Sequence, residues 1–185
     1  MEEKKSFREN VREFTYEFVS VIVSAAVIIA IIFTFLFRFS GVSGESMEPT
    51  LHSGDWVVLS EMEKVKPEYG DIVVISQPNV YDEIIIKRVI ATEGSEVDIN
   101  FKKGQVKVDG IVISEPYINN KTTNSYDEEF PITVPKGYCF VMGDNRQHSV
   151  DSRSSAIGLI KNDYILGVAK VARSEGTFKT LSMEG

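Results

Sequence analysis

Three short stretches of this chain hold side chains that could do chemistry together. The first is Ser43-Gly44-Glu45-Ser46-Met47-Glu48-Pro49-Thr50-Leu51. Gly44 lets the backbone turn or approach a partner closely, and Pro49 fixes the chain three residues after Ser46. A hydroxyl in such a bend can point into open space with backbone N–H groups beside it. A serine nucleophile and its oxyanion site need that arrangement. Taken alone, the stretch reads first as a linker of small residues. The second stretch is Ile84-Ile85-Ile86-Lys87-Arg88-Val89-Ile90, where two cations interrupt an apolar strand. Side chains alternate faces, so Lys87 goes with Ile85 and Val89 while Arg88 lies opposite. Burial penalises an ammonium and lowers its pKa, which makes a lysine a general base. The plainer alternative is an edge-strand lysine that blunts aggregation. The third stretch is Met142-Gly143-Asp144-Asn145-Arg146-Gln147-His148-Ser149-Val150-Asp151-Ser152-Arg153. Asp144 and Asp151 could pair with Arg153 or Arg88, and Ser149 could orient an amine. A solvated loop with Asx-turns and a helix cap fits this stretch equally well.

These residues need elements to hold them. Phe18 to Phe37 reads FVSVIVSAAVIIAIIFTFLF, without a charge. At about 1.5 Å per residue it spans roughly 30 Å, a bilayer core. A helix apolar on all faces would need a far larger protein around it. The run is also long for a cleaved leader, and no A-x-A-like site follows in FRFSGVSG. An uncleaved single-pass anchor in a lipid bilayer is expected. Lys4, Lys5, Arg8 and Arg12 precede it and only Arg38 follows closely, which puts the N-terminus in the cytoplasm. The expected organisation is a cytoplasmic segment 1–17, an anchor 18–37 and an extracytoplasmic domain 38–185.

That domain reads as β. Strands are expected at Trp56–Ser60, Asp71–Ser76, Ile84–Ala91, Val97–Phe101, Gln105–Val108, Ile111–Ile113, Tyr138–Met142 and Tyr164–Ala172. Asp109-Gly110 suits a tight hairpin turn with positive φ at both residues. Tyr117–Glu129 is polar and reads as a long loop, and Ser152–Ala156 could begin a short helix. The fold class is mainly β: a single transmembrane helix, then a β-rich, partly barrel-like domain.

Composition narrows the function. The 185 residues are 43% hydrophobic and carry a net charge of −7, which rules out a mostly disordered chain and argues against a nucleic-acid partner. The single cysteine, Cys139, excludes an intrachain disulfide framework and a Cys-only metal cluster. It lies in an apolar run and reads as a small buried residue, not a nucleophile. Asp and Glu show no metal-ligand spacing and no phosphate-binding Gly loop appears, so no metal or cofactor is implied. His52 or His148, oriented by Asp144 or Asp151, is an alternative base for Ser46. A non-catalytic module that binds extracytoplasmic peptides along a sheet edge is an alternative of another class.

Taken together, the stretches resemble bacterial type I signal peptidases. The resemblance lies in Ser46-Met47-x-Pro49-Thr50-Leu51, Gly54-Asp55, Lys87-Arg88 and Gly143-Asp144-Asn145-x-x-x-Ser149-x-Asp151-Ser152-Arg153, in that order behind an anchor. It covers roughly residues 10–172. It implies a serine endopeptidase with a Ser/Lys dyad that removes signal peptides from secretory preproteins, with small residues at −1 and −3. Ser46 matches the nucleophile, Lys87 the general base, and Ser149 the residue that positions the lysine amine. Asp144, Arg88, Asp151 and Arg153 match structural polar residues around the site. Some members carry a serine two residues before the nucleophile as an oxyanion donor. Here Gly44 stands there, which leaves backbone N–H groups, that of Ser46 included. Thr92–Gly137 is too short for the large second β domain of many Gram-negative members, so the chain is similar to the Gram-positive form. The substrate would add as an extended strand near Ser40–Gly44 and Asp82–Ile86.

Overall fold

The computed structural model describes residues 7–36, 38–60, 66–78, 83–174 and 176–181. Of the residues singled out above, Lys4, Lys5, Phe37 and Asp82 lie outside them. The chain divides into two compact units, Met1–Arg38 and Phe39–Gly185.

The first unit is one helix, α1, Phe7–Leu36. It starts ahead of the uncharged run because Arg, Glu and Phe in its first turns are compatible with helix. Asn10–Ile31 has a mean hydropathy of 2.2 and is long and apolar enough to cross a membrane by length and composition.

The regular elements of the second unit are almost all strands. Its elements are β1 (Arg38–Gly41), β2 (Trp56–Ser60), β3 (Ile72–Ile75), β4 (Ile85–Thr92), β5 (Glu96–Asn100), β6 (Gln105–Val108), β7 (Ile111–Val112), β8 (Ile132–Thr133), β9 (Tyr138–Met142), β10 (Ile160–Lys161), β11 (Ile165–Ser174) and β12 (Thr177–Thr180). The larger sheet runs β1-β2-β11-β3-β4-β9-β10, with β12 on β11. It is curled into part of a barrel, and register shifts in β11 and β4 supply local bends. The smaller sheet runs β7-β6-β5-β8.

Every strand expected from the sequence forms, with ends displaced by at most two residues. Asp109 and Gly110 both take positive φ, 51° and 78°, and close the β6–β7 hairpin as expected. The short strands β1, β8, β10 and β12 were not expected. Two to four residues leave too little alternation to read, and all four residues of β12 are exposed. Ser152–Ala156 is not a helix. It runs as linked turns because Asp151 and Ser154 side chains accept the N–H groups of Arg153 and Ala156.

The core follows from the alternation. β4 lies between β3 and β9, so both of its edges are paired, and its run of buried residues from Ile86 to Ala91 shows that both faces are covered. Ile86 joins the cluster of Val42, Met47, Leu51 and Ile72, Ile85 and Val89 pack with Val73 and Val141, and Ile90 packs with Val97, Phe140 and Met142. A central β4 excludes the edge-strand alternative for Lys87.

Candidate active site

Two buried anchors hold the first stretch. Met47 and Leu51 are inside the core, and the Leu51 N–H donates to the Met47 carbonyl at 2.9 Å. The Glu48 N–H donates to the Glu45 carbonyl at 3.1 Å, closing a turn with Ser46 half-buried in it. The Ser46 N–H has no acceptor among the described residues. Gly44 takes φ +85°, with open space where a side chain would be.

β4 brings in Lys87, which is only 4% exposed. Its Nζ lies 2.9 Å from Ser46 Oγ and 3.1 Å from the Ile86 carbonyl. Burial pushes its pKa down from the ordinary 10.5 to about 8. Asp151 and Asp144 pull the other way, and Arg153 adds to the lowering.

The third stretch fits beneath and beside this pair. Asp151 is fully buried and accepts from Arg153 Nε at 2.8 Å, the Gly143 N–H at 3.0 Å and Ser149 Oγ at 2.8 Å. Burial works to raise its pKa, but the Arg153 guanidinium and these donors outweigh it and hold the carboxyl below its usual range. Ser149 therefore donates its hydrogen bond to Asp151, and no hydrogen bond joins it to Lys87 among the described residues. Gly143 passes so close that a Cβ there would strike Ser149 Oγ and the Ser46 carbonyl oxygen. Asp144 takes a bidentate pair from Arg88, at 2.8 and 2.7 Å, and Thr50 Oγ1 donates to it at 2.5 Å.

Some partners were not legible from spacing. Arg146 is buried and donates to the Gly143 carbonyl, Thr122 Oγ1 and Glu115. Tyr117 stacks over the Arg88 guanidinium at 4.1 Å, and Tyr126 donates to the Ser149 carbonyl. The polar loop 117–129 is thus packed on the site. Its polar atoms serve buried cations that are distant in sequence. Asn145, which the resemblance includes in Gly143-Asp144-Asn145 without a role, grips the Ser46 turn.

A cleft of about 410 Å³ opens at Ser46. Ser40–Gly44 and Glu83–Lys87 line it, with Met47, Val150 and Ile157. His148 is exposed and makes no side-chain bond to Ser46, and His52 sits by Asp55. Burial pushes the Cys139 thiol up to about 12, which fits a core residue. Among the described residues no cluster of His, Cys, Asp and Glu is gathered as metal ligands.

Residues 15–173 match the family described as signal peptidase, peptidase S26. The chain belongs to this family. It is 37% identical over 138 residues to a signal peptidase I of Bacillus amyloliquefaciens, covering 70% of this chain and 71% of that one. It is 34% identical to signal peptidase I S of Bacillus subtilis strain 168, over 70% and 72%. A solved signal peptidase I from Enterococcus faecalis is 29% identical, over 57% of this chain and 98% of the other, with a TM-score of 0.45. As a member of the signal peptidase family the protein is a serine peptidase, a hydrolase that cleaves signal peptides from preproteins.

Proposed function

We propose that Ser46 and Lys87 form a Ser/Lys dyad. The observation that carries this is the 2.9 Å approach of Lys87 Nζ to Ser46 Oγ, made by an amine whose pKa burial has lowered to about 8. Neutral Lys87 takes the Ser46 proton as Oγ bonds to the scissile carbonyl carbon. The carbonyl electron pair moves to oxygen, opposite the Ser46 N–H, with Gly44 leaving room beside it. The C–N bond breaks as the Lys87 ammonium protonates the leaving amine. Water then attacks the ester, gives its proton to Lys87, and Ser46 recovers its own. No cofactor or metal enters this balance. Ser149, Asp151, Arg153, Asp144 and Arg88 act by holding Lys87 and Ser46 in place.

The substrate lies extended between Ser40–Gly44 and Glu83–Ile86, adding as a strand. Small residues at −1 and −3 fit its alternate side chains into the cleft. α1 spans the bilayer, with 1–17 cytoplasmic, 18–37 in the membrane and 38–185 outside. The acidic chain takes preproteins and not nucleic acid.

The test is cleavage of a preprotein with an Ala-x-Ala site in detergent or lipid. Ser46→Ala and Lys87→Ala are compared with the parent, each checked for folding. Loss in both variants supports the dyad. Cleavage that survives Lys87→Ala removes the lysine from the mechanism.

A further inference from the structure

We infer that Asn145 is a positioning residue that aims the Ser46 N–H at the developing oxyanion. This rests on Ser46 being the nucleophile, as proposed above. Asn145 is buried and holds the nucleophile turn at two points. Its backbone N–H donates to the Ser46 carbonyl at 3.0 Å, and its Nδ2 donates to the Glu45 carbonyl at 3.1 Å. The Glu48 N–H reaches the same Glu45 oxygen, so that carbonyl is fixed from two sides.

The consequence follows from peptide geometry. In a planar trans unit the C=O and the N–H point in opposite directions. Holding the Glu45 oxygen against Asn145 turns the Ser46 N–H away from the Asn145 loop. That N–H has no acceptor among the described residues, and Gly44 and Ser46 both line the cleft. Because residue 44 is glycine, no hydroxyl from that position shares the charge. The direction of one backbone N–H therefore matters more here.

Asn145 Oδ1 is buried and has no hydrogen-bond partner among the described residues. The donor to Glu45 is what the amide contributes.

The experiment uses the full chain in detergent, as the parent, Asn145→Ala and Asn145→Asp, with Ser46→Ala as control. Preprotein cleavage gives kcat and KM. Affinities are measured for a peptide aldehyde, whose carbon bonds to Ser46 Oγ and leaves an oxyanion, and for an uncleavable peptide of the same sequence. Losing an oxyanion donor costs roughly 100- to 1,000-fold in other serine hydrolases, and mis-aiming one should cost less. Asn145→Ala should lower kcat about 10- to 100-fold with KM within about twofold. Aldehyde affinity should fall by a similar factor, and peptide affinity should hold. Asn145→Asp keeps the size and the backbone bond but sets a carboxylate oxygen against the Glu45 carbonyl, so it should fall at least as far. A folded Asn145→Asp with parental kcat would overturn the inference. So would a fall in kcat that leaves aldehyde affinity untouched, or failure of both variants to fold, since one lost bond to Glu45 should leave a folded protein. If Ser46→Ala keeps its activity, the nucleophile assignment fails instead.

Discussion

The lowered pKa of Lys87 sets a pH profile that can be worked out in advance. With a pKa of about 8, roughly one molecule in ten carries a neutral Lys87 at pH 7. An ordinary lysine near 10.5 would be neutral in about one in 3,000, so burial raises the competent fraction roughly 300-fold. Because kcat/KM reports the free enzyme, it should rise about tenfold between pH 6 and 7 and level off above about pH 9. A bound peptide covers the cleft and removes more water from the amine. The kcat limb should therefore lie at lower pH than the kcat/KM limb. The assay is initial-rate cleavage of a preprotein from pH 5.5 to 10, with melting checked at each pH. A kcat/KM still climbing tenfold per unit at pH 9 to 10 would refute burial as the source of activation. A limb near 6.5 that vanished in His148→Ala would transfer the role to a histidine.

Other outcomes follow from the same geometry. Lys87→Met should be inactive yet more stable. The folded pKa lies below the unfolded one, so below pH 8 the parent bears the full cost of a buried ammonium, about 3 kcal/mol. Urea titration should show that advantage at pH 7 and see it shrink as pH rises from 8 toward 10.5, where the unfolded chain binds the extra proton. Asp144→Ala leaves Arg88 buried without its carboxylate and should cost about 3–5 kcal/mol in the same titration. Gly143→Ala forces a methyl against Ser149 Oγ and the Ser46 carbonyl and should lower kcat by at least about tenfold, read by preprotein cleavage.

Local pattern carried most of the fold. The apolar run around Lys87 marked β4 as a strand, and Asp109-Gly110 marked the β6–β7 hairpin, because each signal sits within a few residues. The meeting of Ser46 with Lys87 was legible only through the resemblance, since no spacing rule joins residues 41 apart. The polar loop 117–129 shows the opposite limit. Its composition is that of a solvated loop, yet Thr122 and the Asn124 carbonyl receive the buried Arg146 and Arg153. Composition reports polarity but not whether water or a distant guanidinium satisfies it. Ser149 shows competition at short range. Its hydroxyl could face an amine or a carboxylate, and in this structure Asp151, two residues on, takes it as a charged acceptor.

The charges around Lys87 are arranged so that burial, not a neighbouring cation, decides its protonation. Asp151 and Asp144 each stabilise an ammonium, and left alone they would hold Lys87 charged. Each carboxylate is instead matched by a buried guanidinium, Arg153 on one and Arg88 on the other. Arg153 also acts directly against the ammonium. The opposed fields partly cancel, and desolvation by the packed β4 strand remains the largest influence. The same pairs fix geometry: Asp151 holds Gly143 and Ser149 together against the Ser46 carbonyl, and Asp144 holds Thr50 at the end of the nucleophile turn. A matched pair can therefore anchor the site without recharging its base, which a lone buried carboxylate could not do.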